Sequence, residues 1–476
     1  MENKSKYLIK NIGLLTISNF ASKILVFLLV PLYTSVLTTA EYGLYDLAVS
    51  TVTLLFPVLT LNIVDAVMRF LLDKQHNNEA IISTGFRFIV SSCVLFGIVM
   101  FILNRLRLWP ALNGLELYIL LYYISFSANQ FLVYVAQGLE KVKDIGIAGV
   151  ISTLLTIVSN VVFLLIFKWG LIGFFFANII AQAGSLIYLA IRIKVTSYLK
   201  CLEINLELQK EMLIYSIPLI ASFLGWVVNG TADKYVVSFM LGVSANGVLS
   251  VAYKIPQIIN TLQGIFIQAW QISAIKEFGG EKASKFYGDI FTIINFLMCT
   301  ACSVLILLTR PISHILFSNE FYIAWQYAPF LLVSTVLNSA SGLLGPILSA
   351  QKNTKAMMWS ALIGAGANII LNIVLVYIIG IQGATIATVI CSYIIYVVRK
   401  IAVGKDITIE HYATILLTWL ILSAQAIVEI YVGKWWIEVF IMIVLLIINA
   451  PTLKKLMASM RGVMNSIKCK VKINMK

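Results

Sequence analysis

Ionisable residues within or at the edges of long apolar stretches include Lys23, Asp46, Asp65, Arg69, Arg87, Asp233, Lys234 and Lys254. Fixed cations in such surroundings attract anions, and phosphate above all. Arginine adds a planar fork that meets phosphate oxygens in pairs. Carboxylates there hold a basic side chain or a small cation. In NGTADKYVVSFMLG (229–242), Asp233 stands beside Lys234. Adjacent residues on a helix diverge by about 100°, so these two are poor partners for each other. Asp65 and Arg69 are four apart and share a helix face, which suits a local ion pair. Little else suggests bond-making chemistry. His76, His314 and His411 are scattered, and no phosphate-binding glycine loop of the nucleotide-hydrolysing kind is present. Cys299 and Cys302 form a lone CxxC inside an apolar run, which reads as small core residues rather than a metal or redox site.

The elements that must position these charges follow from composition. The 476 residues are 60% hydrophobic and 12% charged, with mean hydropathy +0.94. A water-soluble domain carries about 25% charged residues. The chain is therefore an integral membrane protein, and its net charge of +14 reads as a topology signal rather than a nucleic-acid footprint. A bilayer-spanning helix needs about 20 mostly apolar residues. Fourteen segments qualify: 12–36, 44–67, 81–103, 116–138, 146–167, 171–191, 212–240, 247–270, 287–309, 328–350, 357–379, 383–398, 409–431 and 435–453. The run after MENKSKYLIKN is too long for a signal peptide and reads as a retained first helix. Alternate loops then carry 26 and five of the 35 basic residues. The asymmetry places both termini in the cytoplasm. The other four, Lys23, Arg87, Lys234 and Lys254, lie inside predicted helices. Trp109, Trp169, Trp325, Trp435 and Trp436 mark helix ends.

The chain also overlays on itself. LTTAEYGLYDLA (37–48) aligns with LGVSANGVLSVA (241–252) at a shift of 204, matching Leu37, Gly43 and Ala48 to Leu241, Gly247 and Ala252. GLIGFFFA (170–177) aligns with GIQGATIA (380–387), and VAQG (135–138) with SAQK (349–352). Six helices separate the copies, so both halves insert with the same orientation. The expected architecture is all-α: a six-helix lobe over 1–205, a second over 206–405, then two helices and a basic cytoplasmic tail over 406–476. A substrate path would run between the lobes.

DKYVVSFMLGVSANGVLSVAYK (233–254) resembles the hallmark of the Wzx-type lipid-linked oligosaccharide flippases. These are the polysaccharide transporters of the multidrug/oligosaccharidyl-lipid/polysaccharide exporter superfamily. LTTAEYGLYDLAVS (37–50) resembles the partner motif in the first lobe, and the resemblance covers both lobes. Leu249 departs from it, standing where the family often has Tyr. The resemblance implies a V-shaped pair of lobes that alternate access. It implies export of a polyprenyl-pyrophosphate-linked oligosaccharide for O-antigen, capsule or exopolysaccharide assembly. Implied partners are membrane lipids, a polysaccharide polymerase and glycosyltransferases, and no nucleic acid. No cofactor is expected beyond coupling to a proton or sodium gradient or to the membrane potential.

A charge at the bilayer centre costs roughly 2.5–3.5 kcal/mol on insertion scales, so each buried charge needs a role. Lys23, ~16 Å into the first helix at 1.5 Å per residue, is expected to be a cavity cation for pyrophosphate. Lys234, Lys254 and the entrance residue Arg69 are candidates for the same role, with snorkelling or local pairing as the alternative. Asp46, near the outer end of the second helix, is placed to close an external gate on a basic residue opposite. Asp65 is expected to pair with Arg69, and Asp233 to hold Lys254, Lys23 or a coupling cation. Asn19, Asn229, Asn260 and Gln263 are polar cavity candidates, with helix-to-helix bonding as the alternative. At a shift of 204, Lys23, Lys234 and Lys254 fall on Val227, Val30 and Ser50, so the charges are not duplicated. Prolines 31, 57, 218, 256 and 346 predict bends. Rival readings are a lipid II or multidrug exporter of the same superfamily. A membrane polysaccharide polymerase is a further rival, disfavoured because no loop is long enough for a catalytic domain.

Overall fold

The computed structural model describes residues 25, 27–73, 75–106, 114–198, 205–280 and 282–454. Among them there are helices and no strands. Among the described residues, ten helices are long and apolar enough to cross a bilayer, and Leu206–Leu241 makes an eleventh if its bent halves are one span. The chain folds as two compact units, Met1–Ser250 with Ile315–Tyr322, and Val251–His314 with Ile323–Lys476.

Unit 1 contains α1 (Val30–Val36), α2 (Thr39–Leu59), α3 (Ile63–Asp73), α4 (Asn78–Arg105), α5 (Glu116–Gly138), α6 (Val142–Asn160), α7 (Gly170–Ile193), α8 (Leu206–Leu241) and most of α9 (Val243–Ala252). Helix α5 packs against α3, α4 and α7, and α6 packs against α7. The unit ends past the repeat boundary near residue 205 because α8 packs against α2 and α3.

Unit 2 contains α10 (Pro256–Glu277), α11 (Ala283–Leu307), most of α12 (Thr309–Leu316), α13 (Ala328–Ala350), α14 (Thr354–Ile379), α15 (Ile381–Val403), α16 (Tyr412–Tyr431) and α17 (Trp435–Ile448). Helix α13 packs against α10, α11 and α15, and α14 packs against α15. This repeats the pairing scheme of α5 in unit 1, as the overlay at 204–214 residues predicts. Helix α13 is also the heart of its unit. Its apolar window is 89% buried, against 22% for α4, which offers most of its surface to lipid.

Three breaks bear on the site. The second predicted helix begins at Thr39, five residues before its expected start. Thr38 and Glu41 form a reciprocal cap there, each side chain taking the other's backbone N–H. The same helix stops after Leu59 and resumes at Ile63. Leu61 and Asn62 adopt left-handed φ values of 51° and 50°, a cost of roughly 1–2 kcal/mol per residue. Their N–H groups close the helix end onto Val58 and Pro57. The third break lies between α9 and α10, where Pro256 opens the new helix, as its position predicts. Helix α8 bends by 47° between Gly225 and Val227, away from Pro218.

Candidate functional site

The repeat-equivalent segments meet each other inside unit 1. A side chain on Gly43 would run into the Val243 carbonyl, and one on Gly247 into the Thr39 carbonyl. Such a Cβ on Gly43 would also lie 2.9 Å from Gly247 N, and one on Gly247 3.1 Å from Gly43 N. Positions 39 and 43 map onto 243 and 247 at the shift of 204. The two contacts are thus mates under an internal two-fold, as in the interface of a symmetric dimer. Only glycine permits backbones this close.

Polar groups ring the contact. Asp46, one turn along α2 from Gly43, receives Lys234 Nζ at 3.0 Å on each of its oxygens. Both side chains are 16% exposed. Ser250 Oγ donates to Asp46 Oδ2 at 2.7 Å. Ser250 is the repeat equivalent of Asp46, so one copy of the motif supplies the carboxylate and the other a hydroxyl that binds it. Asn246, fully buried, donates from Nδ2 to the Gly43 carbonyl at 3.0 Å. Thr39 Oγ1 shares a hydrogen bond with Ser244 Oγ and donates to Glu320 at 3.1 Å. Thr51 and Tyr235 hydroxyls meet at 2.9 Å.

Aromatic rings pack beside this lock. Tyr33 and Tyr42 stack at 5.0 Å, Phe321 meets Tyr42 edge-on at 5.9 Å, and Tyr45 lies 4.4 Å from Phe174. Thr34 donates to the Leu316 carbonyl at 3.0 Å. The stretch 315–322, read from sequence as plain loop, therefore belongs to this junction. Its short helix and the 3-10 turn Asn319–Gln326 deliver Glu320 and Phe321.

The expected site residues divide as follows. Asp46 meets a basic residue, and that residue is Lys234. Lys234 is consequently neutralised here, rather than standing as an unpaired cavity cation. Asp233 is buried, with Oδ1 accepting the Lys234 backbone N–H at 2.9 Å. The expected Asp65–Arg69 pair gives way to another. Asn62 Nδ2 donates to Asp65 Oδ2 at 2.6 Å, and Arg69 pairs with Asp73 at 3.2 Å on an exposed face. Both spacings are i,i+4, and the tight bend at Asn62 decides between them. Lys254 is half-buried at the α9–α10 break. Asn229 is half-buried, and its Oδ1 has no hydrogen-bond partner among the described residues. Asn260 is exposed, and Gln263 is half-buried against Gly342. Lys23 and Asn19 lie outside the described residues. Cys299 and Cys302 are fully buried in α11 with free thiols. Ser250, Asn246, Ser244 and Glu320 were missed. The first three stand in the repeat motif, and laying Asp46 over Ser250 would have found the central one.

Residues 8–271 match the model of a family described as polysaccharide biosynthesis protein. The chain belongs to that family. No curated protein sequence matches it. Among solved structures, the chain is similar to lipid II flippase MurJ in an inward closed conformation. The TM-score is 0.72 at 18% identity, covering 93% of this chain and 99% of that one. An inward-facing multidrug resistance MATE transporter gives 0.63 at 16% identity, with 86% and 95% covered. A Vibrio cholerae MATE transporter gives 0.54 at 14%, with 84% and 98% covered. At these identities the likeness establishes the fold. This member of the polysaccharide biosynthesis family is thus a multi-pass membrane protein built like a lipid flippase and like multidrug transporters.

Proposed function

We propose that the protein is a flippase that carries a polyprenyl-(pyro)phosphate-linked oligosaccharide from the cytoplasmic to the outer leaflet by alternating access, within a pathway that builds O-antigen, capsule or exopolysaccharide. The observation that carries this reading is the two-fold glycine contact capped by Asp46, Lys234 and Ser250. Two repeats that meet through bare backbone, one unduplicated ion pair and a few side-chain hydrogen bonds form a contact that can be broken and remade without unfolding either. The asymmetry of basic loops puts this junction on the outer side, so it acts as the outer gate, closed here. Breaking the Asp46–Lys234 pair as the gate opens frees Lys234 to face an anionic headgroup. Lys23, Lys254 and Arg69 are the other cations assigned to the phosphate path, with Asn19, Asn229, Asn260 and Gln263 along it. Pathway glycosyltransferases and a polymerase are the expected partners, and both termini are cytoplasmic.

A second reading, export of lipid II, is supported by the MurJ-like fold over 93% of the chain. It shares the polyprenyl pyrophosphate chemistry. The deciding experiment reconstitutes the purified protein in liposomes with labelled polyprenyl-pyrophosphate oligosaccharides and with lipid II, and follows accessibility in each leaflet. Protein-dependent transfer of the oligosaccharide lipid, slowed in Lys23→Ala, is the expected result. Transfer of organic cations with neither lipid moved would overturn it.

A further inference from the structure

Unit 2 buries a second group of charges that the gate does not use. Glu438, in the first turn of α17, is fully buried, and among the described residues neither carboxylate oxygen has a counted hydrogen-bond partner. Glu429, near the end of α16, is 4% exposed. Arg310, at the start of α12, places Nε 2.9 Å from Glu429 Oε1. The guanidinium is also held by Nη2 donating to the Glu429 carbonyl at 2.7 Å and by the Trp325 ring 4.2 Å away. It lies against Gly433, where any side chain would collide with it.

The groups facing Glu438 can be named helix by helix. From α16 come Glu429 and Gln425, and from α12 Arg310. Helix α11 contributes Ser303, which donates to Gln425 Oε1 at 2.8 Å and whose carbonyl takes Gln425 Nε2 at 3.1 Å. The α11 thiols, Cys299 and Cys302, interact with each other and with Trp419. Lys434, one turn before Glu438, is exposed and lies toward Trp436 at 5.9 Å.

Two carboxylates thus face one guanidinium. Ionised, Glu438 would set a second buried negative charge beside Glu429, with only the Gln425 amide, already bonded to the Ser303 carbonyl, as a nearby neutral donor, and such a charge is neutralised rather than tolerated. A metal ion is a poor neutraliser beside Arg310, and among the described residues no group of three metal-ligating side chains exists. A proton needs only one oxygen. The side chain of Arg310 is 37% exposed, just past the end of the span Ala283–Leu307 that the basic loops assign to the outer side.

We propose that Glu438 is a proton-binding site, set by Glu429 and Arg310, that exchanges its proton with the solution on the outer side. Taking up the proton neutralises one carboxylate and leaves Glu429 and Arg310 as a matched pair. Releasing it leaves the cluster one charge negative. The inference concerns proton binding alone and is independent of which molecule the protein transports.

The test is thermal unfolding of the full chain in lipid nanodiscs across a pH series, for the native protein and Glu438→Gln. A proton held in the folded state stabilises below the pH of its release and is lost as pH rises. The native protein is expected to lose several degrees of midpoint at alkaline pH relative to Glu438→Gln, which mimics the protonated form. Parallel pH profiles for the two proteins would overturn the proposal. So would sodium restoring the native protein's alkaline stability, which would make the ligand a metal cation. If Glu438→Gln does not fold, infrared spectra of the native protein and of Glu429→Gln decide. A protonated-carboxyl band in the native protein that vanishes at alkaline pH and moves in Glu429→Gln supports the site, and no such band refutes it.

Discussion

Leucine at position 247 will stop transport while leaving the protein folded. Gly247 faces the Thr39 carbonyl with no room for a Cβ, and its nearest alternative neighbour is the Gly43 nitrogen. Both obstacles are helix backbone, which cannot swing aside as a side chain can. Overpacking of this kind costs roughly 1–3 kcal/mol where the surroundings can shift, and more where they cannot. The cost falls on the closed junction alone, since parted helices have space. At about 1.4 kcal/mol per tenfold change in population, the closed state becomes the minor one. Leaflet transfer in liposomes is expected to fall by at least about tenfold, with Gly247→Ala intermediate and Gly43→Leu equivalent to Gly247→Leu. The equivalence is the sharp part. It follows from the two-fold relation of the contacts, and a mild phenotype at either glycine would contradict it.

The second large effect concerns the lock. Lys234→Ala leaves the Asp46 carboxylate with the Ser250 hydroxyl as its donor, and Asp46→Ala strands an ammonium. Breaking a buried pair costs about 3–5 kcal/mol. With both side chains 16% exposed, about 1–3 kcal/mol is expected for each single change, a figure reduced for solvent screening. The double variant Asp46→Ala/Lys234→Ala should recover much of that loss, giving a coupling of about 1–3 kcal/mol. Stability and transport should part company here. The double variant is expected to regain stability yet transport poorly, because under the proposed function the cation that would meet the headgroup is gone. Additive single and double effects would show that the two charges do not act as a pair.

The fold was legible to the extent that apolar length and small-residue motifs carry it. Helix α13 runs over the predicted 328–350, and the shift of 204 predicts which glycines become equivalent. Helix ends were less legible where capping replaced hydropathy. Thr38 and Glu41 are a readable cap, but an apolar window passes over them. The break at Leu61 and Asn62 has no glycine to announce it, because the closing hydrogen bonds onto Val58 and Pro57 hold two ordinary residues left-handed.

Pairings of charge were the least legible. Asp46 and Lys234 are 188 residues apart, and only the packing of α2 on α8 joins them. Asp65, Arg69 and Asp73 offer two pairings of identical spacing, so periodicity could not choose. Glu429 and Glu438 lie near helix ends, where a sequence reading lets charges reach water. The turn between α16 and α17 instead leaves Glu438 covered and places Arg310 over Gly433. Glu320 sat in a stretch with no apolar period, so nothing pointed to its bond with Thr39.

The central claim is that the Gly43–Gly247 junction must open and close during each transport cycle. Thr39 and Ser244 hydroxyls touch across it, so cysteines at both positions, in a chain whose native cysteines are replaced, can be joined by mild oxidation. The measurement is leaflet transfer of the lipid-linked oligosaccharide by Thr39→Cys/Ser244→Cys protein in liposomes, before oxidation, after it, and after reduction. The account predicts rapid cross-linking, loss of transfer on cross-linking, and recovery on reduction. Undiminished transfer by fully cross-linked protein would contradict it.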